Sequence, residues 1–143
     1  MSRFITAAMP YQQHVLPFEE KEYNIKRSWL ELVSPRGPFT YQQQIIILVN
    51  HWTGSMGEGI TIGFDALGKA KIVGTKMAAL NGAISGFQTT KVKIPYSFPT
   101  EQLYHVNNTP RENFTSSNFI DLTDVKYNNQ NDPILIQALS LIN

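Results

Sequence analysis

The residue whose type and position best suit chemistry in this sequence is Ser55. It stands between an apolar run, residues 45–49, and a segment, residues 58–67, in which apolar residues recur at helical spacing. A serine at the start of a helix lies where free N–H groups and the positive end of the helix dipole stabilise negative charge. Ser55 is therefore a candidate nucleophile, with the Met56 N–H as the oxyanion donor.

A structural interpretation of the same residues competes with this one. Ser55-Met56-Gly57-Glu58 fits the capping box Ser-x-x-Glu, in which the serine and glutamate side chains satisfy backbone N–H groups at a helix start. The nucleophile elbow of hydrolases, Gly-x-Ser-x-Gly, is incomplete, because Thr53 stands at its first glycine. The local pattern leaves both the cap and the nucleophile open.

The segments around Ser55 predict a βαβ unit. Residues 45–49 are continuously apolar, as in a central strand covered on both faces, residues 57–67 predict a helix, and residues 70–73 form a second apolar run. This order favours parallel pairing through a right-handed crossover. The other predicted elements are a helix over residues 3–9, a loop-like connection over 17–24, strands over 28–33 and 89–94, a site loop over 100–118, a polar tract over 128–131, and a closing helix over 134–142 with Asp132 as N-cap and Pro133 as its first residue.

The composition narrows the class of function. The 143 residues suit one domain, 1–143, and the net charge of +1 indicates neither nucleic acid nor a membrane surface as a partner. No apolar run is long enough to span a bilayer. The absence of cysteine excludes disulfides and thiol catalysis, and the three histidines lack the spacing of a zinc site. We expect no metal and no organic cofactor.

Three blocks of the sequence, taken in order, resemble the catalytic core of the C-terminal processing peptidases, the tail-specific and tricorn-type serine proteases: Ile47-Leu48-Val49-Asn50, Thr53-Gly54-Ser55-Met56-Gly57-Glu58 and Gly68-Lys69-Ala70-Lys71-Ile72-Val73-Gly74. The resemblance implies an α/β fold of the Clp-protease and crotonase type, with a largely parallel sheet. It also implies that the chain is the C-terminal portion of a peptidase catalytic domain. The implied reaction is hydrolysis of polypeptides through an acyl-enzyme at Ser55.

The base that would activate Ser55 is missing from the sequence. In one branch of the family a lysine activates the serine, but the matching position here is Leu80, and Lys76 falls outside the motif. The other branch uses a Ser-His pair far upstream of the nucleophile, and this chain has no such pair. His51 is too close to Ser55 along the chain to fold back as the base.

The same tricorn-type branch places a glutamate well downstream of the nucleophile. Pro110-Arg111-Glu112-Asn113 resembles the element that carries it, which makes Glu112 a candidate catalytic residue that converges with Ser55. Without the resemblance, Glu112 is an exposed carboxylate paired with Arg111. His14 and His105 are expected in surface or loop positions, with His105 a candidate substrate contact because it shares the loop of Glu112.

Two functions from different classes follow. The first is a serine peptidase that is incomplete in this chain, so that the chain alone has little activity and needs the missing N-terminal part of a longer protein. The second is a non-catalytic peptide-binding or assembly module that keeps the fold, and exposed strand edges would then favour a partner chain or a homo-oligomer. A lipase-like esterase is a weaker third interpretation. The resemblance also suggests a location outside the cytoplasm.

Overall fold

The computed structural model describes residues 1–123 and 131–142 and contains two β-sheets. The larger sheet is antiparallel, with the strand order β2-β1-β6-β5: β1 is Met9–Val15, β2 Ser28–Val33, β5 Ala83–Gln88 and β6 Pro95–Tyr104. The smaller sheet is parallel, with the order β3-β4-β7: β3 is Ile46–Val49, β4 Lys71–Gly74 and β7 Asn118–Phe119. The helices are α1 (Pro17–Tyr23), α2 (Met56–Ala66) and α3 (Pro133–Ser140), and a 3₁₀ helix covers Arg111–Asn113.

The prediction of a largely parallel sheet of the Clp-protease and crotonase type is wrong. Parallel pairing is confined to three short strands, while the four-stranded sheet pairs antiparallel throughout. The βαβ pattern around Ser55 predicts parallel pairing only for its own two strands. The strands of the larger sheet are antiparallel, and antiparallel strands need no helical crossover. The fold is therefore a mixed α/β arrangement in which the parallel part is the smaller one.

The βαβ unit itself is confirmed as β3, α2 and β4. Ile47 pairs with Ile72 in the parallel ladder, and α2 presses the fully buried Ile62 onto the same face of the sheet. On the other face, α3 packs Ile134 against Val73. Both faces are thus covered, as the apolar runs predict, but β3 lies at the edge of its sheet among the described strands and is not the predicted central strand.

A close approach between β3 and β4 explains the glycine at the end of β4. Gly74 has a φ of +143°, and a Cβ built there would lie 1.9 Å from the carbonyl oxygen of Val49. Any side chain would force the two strands apart at their carboxyl ends. The Val73-Gly74 pair that contributes to the family resemblance thus has a local structural reason.

Several other predictions along the chain are wrong, and the errors come from proline. Residues 3–8 are not helical and lead into β1, which begins at Met9 and contains Pro10. Residues 17–24 are not a loop, because Pro17 occupies the first turn of α1 and Asn24 ends that helix in the left-handed conformation. Residues 89–94 form the turn of the β5–β6 hairpin, while Pro95 and Pro99 lie inside β6. Proline is tolerated there because this half of β6 pairs with β5 alone.

The remaining predictions have mixed outcomes. The strand over residues 28–33 is confirmed as β2, and the closing helix is confirmed as α3, whose N-cap Asp132 accepts hydrogen bonds from the N–H groups of Ile134 and Leu135. The expected site loop over 100–118 contains the end of β6 and the 3₁₀ helix. Residues 128–130 of the polar tract lie outside the described residues. In the part of the chain that the structure describes, no helix is long and apolar enough to cross a membrane.

A polar cluster around His14 joins three strands of the antiparallel sheet. His14 lies on β1, with Nδ1 2.6 Å from Glu101 Oε2 on β6 and Nε2 2.9 Å from Glu31 Oε2 on β2, and Trp29 stacks on its ring. Burial raises the pKa of Glu31, but hydrogen bonds from Tyr11 and His14 outweigh it and hold that pKa below its usual value. His14 is therefore part of the sheet and not the surface or loop residue that the sequence suggested.

Candidate functional site

The turn between β3 and α2 presents Ser55 to solvent. Residues 50–54 are held by local hydrogen bonds, in which the Thr53 N–H donates to the Asn50 carbonyl and the Asn50 N–H donates to Thr53 Oγ1. Ser55 follows as the N-cap of α2, and its side chain is exposed. The predicted place of Ser55, between a strand of the βαβ unit and its helix, is the place that the structure gives it.

The backbone of Ser55 is strained. Its φ of +52° and ψ of −119° lie outside the regions that residues with a side chain normally occupy. An ordinary N-cap residue has extended backbone angles, so capping does not require this conformation. Such outliers cost about 1 to 3 kcal/mol each and are concentrated at functional sites.

Glu58, and not the serine hydroxyl, provides the well-formed half of the capping box. The Ser55 N–H donates to Glu58 Oε2 at 3.0 Å. Ser55 Oγ faces the Glu58 N–H, as the box requires, but without the geometry of a cap hydrogen bond, since that N–H donates to the Ser55 carbonyl at 3.1 Å. The hydroxyl is thus part of the capping box, but it does not make a cap hydrogen bond of normal geometry.

The N–H of Met56 is available at the same place. Met56 is the first residue of α2, and among the described residues no acceptor takes its N–H. The first N–H groups of a helix have no partner within the helix, and they carry the positive end of its dipole. The Met56 N–H therefore stands next to the Ser55 hydroxyl with the polarity that an oxyanion requires.

A buried ion pair lies behind the Ser55 turn. Glu58 is 0% exposed and Arg111 is 4% exposed, and Arg111 Nη2 lies 3.6 Å from Glu58 Oε2. The same nitrogen donates to the Leu80 carbonyl at 2.9 Å, and Glu58 Oε1 accepts from the Leu80 N–H at 3.2 Å. Burial lowers the pKa of the Arg111 guanidinium, against the opposing effect of Glu58 and Glu112, but an arginine stays charged in proteins.

The Leu80 segment lies directly on the Ser55 turn. The Ala78 N–H donates to the Thr53 carbonyl at 3.0 Å, and a Cβ built on Gly54 would lie 3.2 Å from Leu80 Cδ1. Leu80, which the sequence resemblance aligns with the lysine of the processing peptidases, thus lies beside this turn, and its apolar side chain cannot take a proton. Lys76 is exposed to solvent.

Glu112 follows the buried Arg111 in the 3₁₀ helix and is half-buried. Its charge acts on the guanidinium of Arg111, which in turn pairs with Glu58 at the start of α2. Ser55 and Glu112, 57 residues apart in the sequence, are therefore connected through one ion pair. Within the described residues, no hydrogen bond joins their side chains directly, and their convergence in one cleft stays a prediction.

The histidines are not placed to activate Ser55. His105 is 6% exposed, its Nδ1 accepts the Asn107 N–H, and its Nε2 lies 3.2 Å from Asp65 Oδ2 near the end of α2. Asp65 lies ten positions after Ser55 along α2, which corresponds to about 15 Å along the helix axis. His105 is thus a buried loop residue, and its contact with substrate stays a prediction that this burial does not favour. His51 is exposed and lies against the Trp52 ring.

A cavity opens beside the Ser55 turn. It has a volume of about 620 Å³ and apolar walls from Leu48, Val49, Leu122 and Ile134, with Asp132 and residues 50–53 completing the lining. A larger cavity of about 760 Å³ lies between α1 and the β5–β6 hairpin, and none of its described lining residues belongs to the βαβ unit. Ser55 is not among the described lining residues of either cavity, but the smaller cavity borders residues 50–53, which lead to Ser55, and is therefore the better placed of the two for a substrate.

The sequence did not predict the buried role of Glu58 and Arg111. Glu58 is recognised only as a capping residue and Arg111 only as a surface partner of Glu112. No local signal marks an arginine in a polar segment as buried, because arginine is mostly exposed. Among the described residues, no group of three or more His, Asp or Glu side chains is placed to hold a metal ion.

Comparison with known proteins supports a peptidase-like fold. No protein-family model and no curated protein sequence matches the chain. Three solved structures are similar to it: a "putative peptidase" from Parabacteroides merdae ATCC 43184 (15% identity, TM-score 0.77, 98% of this chain and 44% of that one), mature CPAF complexed with lactacystin (12%, 0.65, 82% and 35%), and a lipoprotein from Streptococcus agalactiae (14%, 0.66, 97% and 46%).

At these identities the similarity concerns the fold alone. The chain has a peptidase-like fold and spans less than half the length of each of these three proteins. This similarity does not extend to the serine-type activity or to the particular family that the sequence suggests.

Proposed function

We propose that this chain is the nucleophile-bearing part of a serine peptidase whose catalytic base lies in a longer protein. Ser55 attacks the peptide carbonyl and forms an acyl-enzyme, the Met56 N–H stabilises the oxyanion, and Glu112 orients polar groups around the site. The observation that carries the proposal is the backbone of Ser55, which is strained at an exposed helix start where capping alone needs no strain.

The base is the part of the mechanism that these residues do not supply. Leu80 occupies the position of the family's lysine, and His105 is held against Asp65 near the far end of α2. A serine is a weak nucleophile without a neighbouring base. The proposal therefore assigns the base to an upstream Ser-His pair in the longer protein, which is consistent with the greater length of the similar structures.

The substrate is a polypeptide whose apolar side chain enters the cavity beside the turn. The leucine, valine and isoleucine walls of that cavity favour an apolar group, and its volume of about 620 Å³ is sufficient for a large side chain. The likeness to a lipoprotein and the family resemblance together favour a location outside the cytoplasm for the longer protein.

A non-catalytic peptide-binding or assembly module is the second candidate. It is favoured by the β5–β6 hairpin, where Phe87, Tyr96 and Phe98 stack on one another and are partly exposed at an edge of the antiparallel sheet. Exposed strands and aromatic rings of this kind are suited to a peptide, a partner chain or a second copy.

Labelling with a fluorophosphonate, which reacts with activated serines, tests the proposal. We expect the longer protein to be labelled at Ser55 and to hydrolyse peptides, and Ser55→Ala to abolish both. Ser34→Ala, which removes an exposed serine elsewhere, is the matched control and should change neither. The 143-residue chain should react near background, because losing a base reduces the rate about 10² to 10⁴-fold.

The outcomes separate the two candidates. Strong labelling of the chain alone at Ser55 would show that a base lies within these residues, and the assignment of the base to the longer protein would then be wrong. A longer protein that binds peptides but is neither labelled nor active would favour the binding module.

A further inference from the structure

We infer that Glu58 and Arg111 are positioning residues, which together hold Ser55 in its strained conformation and fix the place of Glu112. The inference rests on the proposed function for its effect on the reaction rate. Its effect on the backbone of the turn stands on the structure alone.

Glu58 connects two backbone segments with its two oxygens. Oε2 accepts the Ser55 N–H at 3.0 Å and Oε1 accepts the Leu80 N–H at 3.2 Å. Hydrogen bonds to an ionised acceptor are shorter and stronger than neutral ones. One buried carboxylate thus fixes the N–H of the candidate nucleophile and the segment that lies against Gly54, the residue before it.

Arg111 balances the buried charge and adds a second attachment. Its Nη2 lies 3.6 Å from Glu58 Oε2 and donates to the Leu80 carbonyl at 2.9 Å and to the Gly82 carbonyl at 3.4 Å. A fully buried carboxylate without a partner charge would be strongly unfavourable, and the Arg111 guanidinium is the charge that lies against it.

The anchoring of Arg111 also places Glu112. The two residues are adjacent in a 3₁₀ helix of three residues, so that burial of the first leaves little freedom to the second. Ser55 thus contacts Glu58, Glu58 contacts Arg111, and Arg111 is adjacent to Glu112 in the chain. Both candidate catalytic residues are therefore positioned by one ion pair.

The test compares Glu58→Gln and Arg111→Lys with Asp65→Asn. Gln keeps the size of Glu58 but replaces one acceptor oxygen by an NH₂ group, and Lys keeps the charge of Arg111 but loses the geometry that reaches two carbonyls. Asp65→Asn removes the charge of a carboxylate that lies 3.2 Å from His105 Nε2 near the other end of α2, so it controls for general weakening of that helix.

The first readout is amide hydrogen exchange in the 143-residue chain, with Ile62 in the middle of α2 as the internal reference. Glu58→Gln should accelerate exchange at Ser55 or Leu80 about 10-fold or more relative to Ile62, and at the other of the two to a smaller extent, because one N–H loses its acceptor and the other keeps only a neutral one. Asp65→Asn should leave these ratios unchanged. Arg111→Lys is a milder change and should raise the same exchange ratios to a smaller extent. It replaces Glu58→Gln as the test variant if Glu58→Gln unfolds the chain.

The second readout is kinetic and uses the longer protein. A misplacement of about 1 Å can reduce a rate about 10²-fold, so we expect kcat to fall by that order in Glu58→Gln while KM stays nearly constant. Unchanged exchange ratios together with unchanged kcat would overturn the inference. If the wild-type longer protein is inactive, the proposed function fails, and the exchange ratios alone decide whether the pair holds the turn.

Discussion

Replacing Ser55 by glycine should make the protein more stable, and this result would separate a strained nucleophile from an ordinary cap. Glycine adopts a positive φ with ψ near −119° without steric conflict, whereas serine and alanine do not. An ordinary N-cap behaves differently, since Ser→Gly then lowers the stability by a few tenths of a kcal/mol and Ser→Ala by about 1 kcal/mol.

The magnitude follows from two opposing terms. The strain at Ser55 is about 1 to 3 kcal/mol, and glycine releases it. The greater freedom of glycine in the unfolded chain costs about 0.5 to 1 kcal/mol. The hydroxyl lacks a cap hydrogen bond of normal geometry, so its removal adds little. We therefore expect Ser55→Gly to raise the free energy of unfolding by about 1 kcal/mol, within a range of about 0 to 2.5 kcal/mol, and Ser55→Ala to leave it nearly unchanged.

Urea unfolding at 25 °C, fitted with a common m-value, measures these differences. Ser34→Gly is the matched control, because Ser34 is exposed and does not have a positive φ, and it should lower the stability by about 0.5 to 1 kcal/mol. If Ser55→Gly is destabilising to the same extent as Ser34→Gly and Ser55→Ala costs about 1 kcal/mol, Ser55 is an ordinary cap and the strain argument is refuted.

Three further predictions concern the sheets and the missing base. Gly74→Ala should lower the free energy of unfolding by about 3 kcal/mol or more in the same urea assay, because the new Cβ would meet the Val49 carbonyl. Gly68→Ala is the control: this glycine also has a positive φ, of +60°, but open space around it, and the change should cost about 1 kcal/mol. Equal effects of the two changes would contradict the close approach of β3 and β4. Because the pKa of Glu31 is lowered in the folded state, this carboxylate stabilises the protein at a pH above its usual pKa of about 4.5, and the stabilisation is lost as the pH falls through the folded-state value. Glu31→Gln should therefore make the free energy of unfolding depend less steeply on pH on the acid side. An unchanged slope would show that Glu31 and its contacts in the His14 cluster do not cause the acid dependence. Leu80→Lys should raise the fluorophosphonate labelling of Ser55 in the 143-residue chain at least about 10-fold, since it places an amine beside the turn. Labelling that stays at background would show that position 80 does not match the base of the resembled family.

The sequence predicts best what is encoded locally. The strand, turn and helix around Ser55 follow from apolar spacing within about 30 residues, and α3 follows from Asp132 and Pro133 at its start. The larger sheet could not be obtained in this way, because β1 pairs with β6 across about 90 residues and no local pattern specifies that partner. The prolines of β6 also predict the end of a strand. Only the strand pairing shows which residues of β6 have no partner strand for a backbone N–H and can therefore be proline.

The candidate site also contains residues that the sequence identifies and residues whose role depends on contacts between distant parts of the chain. The local sequence identifies Ser55 and Met56 and the family resemblance identifies Leu80, and in the structure Leu80 lies against the turn that leads to the other two. The ion pair between Glu58 and Arg111 joins residues 53 positions apart, and its burial depends on the packing of the 3₁₀ helix against α2. Charged residues are rarely buried unless they are paired, and a pairing at this distance leaves no periodic signal.

The alternatives of cap and nucleophile, which the sequence presents as exclusive, are compatible in the structure. The capping of the turn passes to Glu58, whose buried carboxylate accepts the Ser55 N–H and is balanced by Arg111. The serine therefore contributes its backbone to the cap, while its hydroxyl is exposed beside the Met56 N–H. A cap formed by the hydroxyl itself would hold that oxygen in the helix end and keep it from a substrate. Because Glu58, three positions later, forms the well-shaped half of the cap, the Ser55 hydroxyl is left exposed for the role that we propose. That proposed role would account for a residue with a side chain at a φ of +52°, where glycine would be more stable.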